Sequence, residues 1–497
     1  YQSITVLDEK NTKDIMQKSQ SLIDEFSGTP YAGRAAILFA KASYAEGAKD
    51  KAKEKLEWAS NHAKESATES IALIQLGQIL LEEKMKIMLL AGGLPHYYNL
   101  VLNKLQKDFG VEVCVVAPKG NGATLGAGVF ESQSGIEFKV FFQEEYTTYY
   151  GKKFFKGLRE LILKEKPTIL MVNWPYQVSF VFYPFWYRFL RSQNIALISK
   201  EIPFQVPHYE DAIGYYISGG GFTENQQAHQ QSSSLLAKLK FAIVRETRRI
   251  FSNLVDAHIN YLDEARALHA SYGVPSSKVF VTANSPDTDE IFRVLHAIEM
   301  EGPLENHPFR LLHVGRLVKW KQVDLLIQAA VKLKKKFPKT ELEIVGDGPE
   351  MASLQAQVRA ADAEDYIHFS GGIYELETLG KISLGAGIYV LAGMGGLSIN
   401  EAMCFGKPVI CSVADGTEKR LVKEGINGHY FKSGSLDDLV DKITLLFESP
   451  EKITRMGLKS REIIENEINI HTVLGNYLAA FRFAMGRKKD IGERQKA

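Results

Sequence analysis

From Met85 onward the sequence repeats one pattern, in which a short run of aliphatic and β-branched residues is followed by an amphipathic helical stretch. This alternation commits a chain to a parallel sheet covered by helices. Parallel strands need a long crossover, and the crossover must bury its apolar face on the sheet. Strand candidates fall at 86–91, 111–118, 138–142, 169–173, 195–199, 258–261 and 278–284. After a polar stretch at 301–307, a second series follows as RLLHVG, ELEIVG, IHFSG, GIYVLA, KPVICS and GHYF. The pattern predicts two doubly wound α/β domains in tandem, at 85–297 and 298–470, then a C-terminal helix and tail at 471–497 with the helix over about 471–485.

Residues 1–84 read differently: they are rich in Ala, Lys and Glu, have helical periodicity, and contain no strand-like run. Small residues Ala40, Gly47, Ala52 and Ala59 fall where two antiparallel helices must approach closely, with Leu56 as the large packing residue between them. This spacing resembles the 34-residue tetratricopeptide repeat. A further helix at 69–83 looks like the opening of a next repeat, but MKIMLLAGG begins at Met85 where its partner would be. Since about three repeats are needed to bury a solenoid core, 1–84 is expected to be an incomplete all-α module, with a protein partner as its natural use.

At roughly 150 residues per domain, 497 residues suit three such pieces. A content of 45% hydrophobic and 24% charged residues excludes a disordered or collagen-like chain. Sixty basic against 59 acidic side chains leave a net charge of +1, so no field of the whole molecule draws it to nucleic acid. Cys114, Cys404 and Cys411 are too scattered for a disulfide framework or a cysteine metal site, which suits a reducing, cytoplasmic setting. The apolar stretch 178–190 is broken by Pro184 and Arg188 and falls short of the ~20 residues that span a bilayer. No signal peptide is expected. The segment 151–166, GKKFFKGLRELILKEK, reads as a basic amphipathic helix beside the aromatic-rich SFVFYPFWYRFL. Two readings of 151–190 stay open: peripheral contact with an anionic membrane on its cytoplasmic face, or a sheet-covering helix with its lysines in water.

The chemistry concentrates in the second α/β series. Gly315 and Arg316 directly follow a strand, and Lys321 comes five residues later at the opening of a helix, which places two cations at a strand's carboxyl end where doubly wound sheets bind ligands. Two cations there suit a diphosphate. Gly346-Asp347-Gly348-Pro349-Glu350 ends the next strand, and Gly395 and Gly396 precede a helix containing Glu401. Glycines let backbone N–H groups approach phosphate oxygens, and a carboxylate one turn into a helix can accept hydrogen bonds from ribose hydroxyls.

Taken together, Gly315-Arg316 with Lys321, VGDGPE, GLSINEAMCFGKPVI and EGINGHYF resemble the donor-binding domain of retaining glycosyltransferase family 4, which has the GT-B fold. The resemblance runs from Met85 onward, about five-sixths of the chain, and is more specific in the second α/β domain than in the first. It implies two Rossmann-like domains with a cleft between them and sugar transfer from a nucleotide-sugar with retention. Neither a metal nor a cofactor beyond that co-substrate is implied. It further implies that Arg316 and Lys321 hold the donor diphosphate, that backbone around Gly315, Gly346, Gly396, Leu397 and Ser398 supports it, and that Glu401 binds the ribose. The acceptor is expected to be a saccharide or a lipid-linked saccharide, met by the first domain. There Gly93, in the Gly92-Gly93 turn after the first strand, resembles the loop facing the donor phosphates. His96, Glu201 and His208 are the catalytic candidates on the acceptor side.

The family commonly has two acids eight positions apart, but here the position eight before Glu401 is Gly393. That departure motivates a rival reading, a non-catalytic adaptor that binds a nucleotide-sugar and presents a helical-repeat module. VTANSPD at 281–287 resembles the family's tract entering the second domain. Asp287-Thr288-Asp289 is formally an acid pair of the metal-binding kind, but its position at the interdomain connection predicts a capping or linker role instead.

Overall fold

The computed structural model describes residues 12–46, 48–65, 68–69, 71–73, 75–76, 85–94, 96–119, 135–201, 206–218, 234–302, 304–413 and 416–494, without the side chains of 96–97 and 487–494. The chain divides into two compact units, one made of Tyr1–Ile87, Leu105–Cys114 and Lys166–Thr168, and the other of the remainder.

In the first unit, helices α1 (Thr12–Glu25), α2 (Pro30–Ala45) and α3 (Lys49–His62) pack in succession. Ala40, Ala52, Leu56 and Ala59 are all buried, as the small-residue spacing requires, together with Ala35 and Ala36 of α2 and Ile23 of α1. Alanine at these positions lets the backbones approach, and Leu56 fills the space that remains. Arg34 of α2 pairs with Glu65 beyond α3. Gly47 and much of the expected helix at 69–83 lie outside the described residues.

A seven-stranded sheet has the order β3-β2-β1-β6-β7-β8-β9, from β1 (Lys86–Leu90), β2 (Glu112–Pro118), β3 (Lys139–Gln143), β6 (Ile169–Val172), β7 (Ala196–Lys200), β8 (Ala257–Asn260) and β9 (Val279–Val281). Its helices are α4 (His96–Phe109), α5 (Leu158–Glu165), α6 (Val178–Phe182), α7 (Pro184–Ser192), α8 (Ala212–Ile217), α9 (Leu235–Leu254) and α10 (Ala265–Ser271). A two-stranded hairpin, β4 (Glu145–Thr147) and β5 (Lys153–Phe155), stands apart from it. That hairpin corrects the expectation of one basic helix over 151–166. Phe154 and Phe155 are buried as a strand pair against Tyr146 and Glu145, and Gly157, at φ +68°, separates β5 from the short α5. Consecutive aromatics at 154 and 155 favour extended backbone over helix, and the lysines that looked helical flank a turn. The expected strand at 278–284 is also shorter, since Ala283 turns the chain at φ +57°.

The second sheet has the order β12-β11-β10-β13-β14-β15, from β10 (His307–Val314), β11 (Glu341–Val345), β12 (Ile367–Gly371), β13 (Ala386–Leu391), β14 (Val409–Ser412) and β15 (Gly428–Phe431). Every adjacent pair is parallel, with Leu311 opposite both Leu342 and Ile388. Helices α11 (Thr288–Glu301), α12 (Val323–Lys336), α13 (Met351–Ala360), α14 (Leu376–Gly385), α15 (Ser398–Cys404), α16 (Glu418–Leu421), α17 (Leu436–Phe447) and α18 (Pro450–Asn466) accompany it. One core joins Leu311, Leu342 and Ile388 of the sheet to Ile327 and Ile443 of the helices. In each sheet the strand order reverses direction once, between β1 and β6 and between β10 and β13, and such reversals open a crevice at the strands' carboxyl ends.

The last helix, α19 (Ile470–Arg494), runs past the expected 485 and packs against β7, β8 and β9 of the first sheet. Asp287 caps α11 by accepting from the Glu290 N–H at 3.3 Å, and it pairs with Lys104, so the acid pair at 287–289 serves as a cap and an ion-pair site. His471 at the start of α19 sits 2.8 Å from Asp289.

The first sheet is tied internally by Asp256, whose buried carboxylate accepts from Arg191 Nη1 at 3.0 Å, from Arg191 Nη2 at 2.9 Å and from the Leu197 N–H at 2.9 Å. One side chain thereby joins α7, β7 and the entry to β8. Removing one partner of a buried pair leaves an uncompensated charge, so Asp256→Ala should destabilise by about 3–5 kcal/mol. Chemical denaturation of the full chain checks this, and a loss below about 1 kcal/mol would show the pair to be dispensable.

Candidate functional site

At the reversal between β10 and β13, three strand-exit loops meet backbone to backbone. The N–H of Gly315 donates to Val345 and that of Leu317 to Asp347, both at 2.9 Å, while Glu350 donates to the Leu317 carbonyl at 3.1 Å. A side chain beginning at Gly346 would lie 1.9 Å from the Gly315 oxygen, and one at Gly348 would lie 2.3 Å from the Leu317 oxygen. The VGDGPE glycines are therefore needed for the close approach of two loops. Gly346 supports Gly315 from behind.

The third loop closes from the β13 side. Met394 donates its N–H to the Trp320 carbonyl at 3.0 Å, and a side chain at Gly393 would start 2.0 Å from that same oxygen. The glycine at 393 is thus a packing requirement, and no acid fits there without displacing Trp320 and Lys321. Lys321 ends a 3-10 turn at Lys319–Lys321, and the left-handed Gln322 (φ +52°) turns the chain into α12. Its Nζ donates to the carbonyls of Met394 and Gly395 at 2.8 Å each and lies 3.4 Å from where a Gly396 side chain would begin. Lys321 and the Gly396 loop are therefore together. Arg316 is exposed on the Gly315 loop.

Leu397 and the partly buried Ser398 open α15, and the Ser398 hydroxyl lies 2.7 Å from the buried Tyr389 hydroxyl. Glu401, one turn later, is partly buried, and that burial raises its carboxyl to about 7. Next to it, Asn400 donates to the Asn284 carbonyl of the first α/β domain at 3.2 Å. Two further contacts join these domains, Lys419 with Glu264 at 3.2 Å and Arg420 with Asp263 at 3.8 Å.

The sequence does not single out His313, which is buried in β10 directly beneath Gly315. Its Nδ1 lies 3.2 Å from the Val390 carbonyl and so carries the proton, which leaves Nε2 without a partner. Burial first, and then the Lys321 charge, lower it to about 4, so it is a neutral imidazole under the loop. A buried strand histidine gives no periodicity signal.

On the first sheet the acceptor-side candidates separate. Gly93 is buried at the exit of β1. His96 begins α4, and its side chain lies outside the described residues. Glu201 is buried and engaged, accepting from Arg248 Nη1 at 3.1 and 3.2 Å. His208 is exposed. Lys200 is the group the sequence undervalued: it stands 4.0 Å over the Tyr98 ring, and burial lowers it to about 8. Among the described residues no cluster of His, Cys, Asp or Glu side chains is placed to hold a metal ion, and no helix is long and apolar enough to cross a membrane.

Comparison with known proteins gives the second sheet a family. Residues 298–463 match the glycosyl transferases group 1 family, and residues 1–87 match a tetratricopeptide repeat-like domain. The region at 298–463 is a group 1 glycosyltransferase domain. It contains Gly315, Arg316, Lys321, Gly393, Gly396 and Glu401. The chain is 31% identical over 159 residues to an uncharacterized glycosyltransferase of Haemophilus influenzae, covering 31% of this chain and 44% of that protein. It is 26% identical over 285 residues to an uncharacterized glycosyltransferase of Methanocaldococcus jannaschii, covering 54% of this chain and 71% of the relative. The chain therefore spans less than half the length of the first relative. The two-sheet architecture is the GT-B fold: it aligns with Anabaena HepE, solved in complex with UDP, at a TM-score of 0.54 and 16% identity over 80% of this chain and 99% of that one.

Two expectations follow from the group 1 domain's geometry. Gly393→Ala should lower the unfolding midpoint, and Gly393→Asp should lower it further, because both push on the Trp320 carbonyl. An alanine variant as stable as the parent, measured by calorimetry, would refute the packing account. Glu401 has a folded pKa above its free value, so its burial costs nothing where it is protonated in both states and the full amount above about pH 7. Glu401→Gln should therefore gain stability on the order of 2 kcal/mol at pH 8 and nothing at pH 4, and melting curves at the two pH values read the difference.

Proposed function

We propose that the protein is a glycosyltransferase. It moves a sugar from a nucleotide-sugar to a saccharide or lipid-linked acceptor, with retention of anomeric configuration and without a metal ion, in polysaccharide or glycoconjugate biosynthesis. The observation that carries the reading is the convergence of Lys321, the Gly396 loop and Glu401 at the strand reversal of the group 1 domain. The UDP bound by HepE supports a uridine diphosphate as the nucleotide moiety.

In this reading Lys321, already fixed against two carbonyls, and Arg316 take the two phosphates. Charge develops on the diphosphate as the sugar leaves, and preorganised cations stabilise that charge more than they stabilise the ground state. The backbone at Gly396, Leu397 and Ser398 borders the phosphates, and Glu401 accepts from the ribose. With glycine fixed at 393, no carboxylate from that position reaches the sugar, so its orientation falls to groups of the first domain. Residues 1–84 act as a partner-binding module.

The test is turnover against a panel of UDP-sugars, read as released UDP and as product anomeric configuration by NMR. Arg316→Ala and Lys321→Ala should each lower turnover by about 10²–10³ while leaving the fold intact. A donor at a hundred times its dissociation constant should stabilise the chain by about 2.7 kcal/mol. Stabilisation by a nucleotide-sugar with no hydrolysis or transfer would make the chain an adaptor, and an inverted product would overturn retention.

A further inference from the structure

The first α/β domain carries a cavity of about 570 Å³, within the range of small-molecule sites. Its walls are α6, α9, the Tyr150–Lys152 turn of the β4–β5 hairpin, and Trp174 just past the end of β6. Phe182, Leu239, Ile243 and Phe251 make most of it apolar. Along α9 the apolar stripe runs from the cavity to beyond its mouth at a spacing of four residues. Ile243 and Leu239, which line the cavity, are 52% and 59% exposed and Leu235 beyond it is 83% exposed, so about two helical turns of apolar surface remain in water. Exposed apolar stripes of this kind mark contact sites.

Charge distinguishes this cavity from an ordinary apolar groove. Lys152, Lys240 and Arg248 line it, with no carboxylate among the lining residues. Arg248 is balanced by Glu201, whereas Lys152 and Lys240 form no ion pair with any described carboxylate. Burial, and then the charge of Lys240, pull Lys152 below the ordinary lysine value. Two like-charged ammonium groups lining one apolar cavity make a site for an anion attached to an apolar body. The cationic end also has a fixed direction. Lys152 and Arg248 lie 5.0 and 5.6 Å from the Trp174 ring centre, and Arg248 holds Glu201, which follows β7. Trp174 and Glu201 both lie at the carboxyl edge of the first sheet, next to its strand reversal, where doubly wound sheets present ligands.

We propose that this cavity binds an amphiphilic phosphate, with an isoprenoid or acyl chain along α9 and its phosphate held by Lys152 and Lys240, and that this molecule is the acceptor's anchor. Its assignment as acceptor rests on the transferase reading; its binding does not. The cavity is walled on several sides and so takes single molecules, not the flat surface of a bilayer.

The experiment is calorimetric titration of the full chain with farnesyl phosphate, farnesol and inorganic phosphate, with UDP titrated into the same samples. Farnesyl phosphate should bind saturably and at least about tenfold more tightly than farnesol, with no heat from inorganic phosphate at matching concentrations. Lys152→Met combined with Lys240→Met should bring farnesyl phosphate down to the farnesol level. Ile243→Glu, an exposed position that folding tolerates, should abolish both. Equal affinity for farnesol and its phosphate, or unchanged binding in Ile243→Glu, would overturn the inference. So would binding to anionic phospholipid vesicles that farnesyl phosphate fails to displace. UDP binding without farnesyl phosphate binding defeats this site alone, while the reverse result defeats the transferase reading and leaves the site standing.

Discussion

The geometry at the second sheet's strand exits depends on three places where backbone touches backbone with no room for a side chain. Gly346 lies against Gly315, Gly348 against Leu317, and Gly393 against Trp320. Because main chain and not side chain fills these contacts, the loops after β10, β11 and β13 are locked to one another at a precision that rotamer packing does not reach. Lys321 inherits that precision. Its ammonium is tied to two carbonyls of the facing loop, so its position is set by the same contacts that exclude a residue larger than glycine at 393.

Burial without full compensation is the second theme, and it is not confined to the site. Glu401 is raised to about 7, Lys200 lowered to about 8, and Lys407 lowered to about 8. Lys407, however, is buried beneath the second sheet and donates to the Leu384 and Ala386 carbonyls at 2.9 and 2.7 Å, which closes the end of α14. Its perturbation is architectural. A shifted lysine or carboxylate marks a site only where the surrounding loops also leave space for a ligand.

Much of this was legible in the residues. The central strands β13 and β14 read directly from their apolar runs, because each is buried along its whole length, and the glycine tracts identify where the second-sheet strands end. The segment 151–166 defeats pattern reading because lysines at near-helical spacing mask the two aromatics that pair as a strand, and tertiary burial of Phe154 and Phe155 decides the matter. Glu201 looked like an acid awaiting a substrate, since its partner Arg248 lies 47 residues away on another helix. Gly393 looked like a missing catalytic acid. Only the three-dimensional closeness of Trp320 shows it to be a residue the fold demands. His313 and Lys200 could not be found from pattern at all, because their meaning comes from what covers them.

The last helix has a consequence for how the molecule is made. Since α19 lies on β7, β8 and β9, the first α/β domain is discontinuous in sequence, with its final layer supplied after the whole second sheet has been synthesised. On the ribosome the second sheet can close around its own core as soon as α18 emerges. The first sheet must wait for the layer on β7, β8 and β9 until 470–494 arrive. Folding order therefore runs against chain order, and the domain begun first is the one completed last.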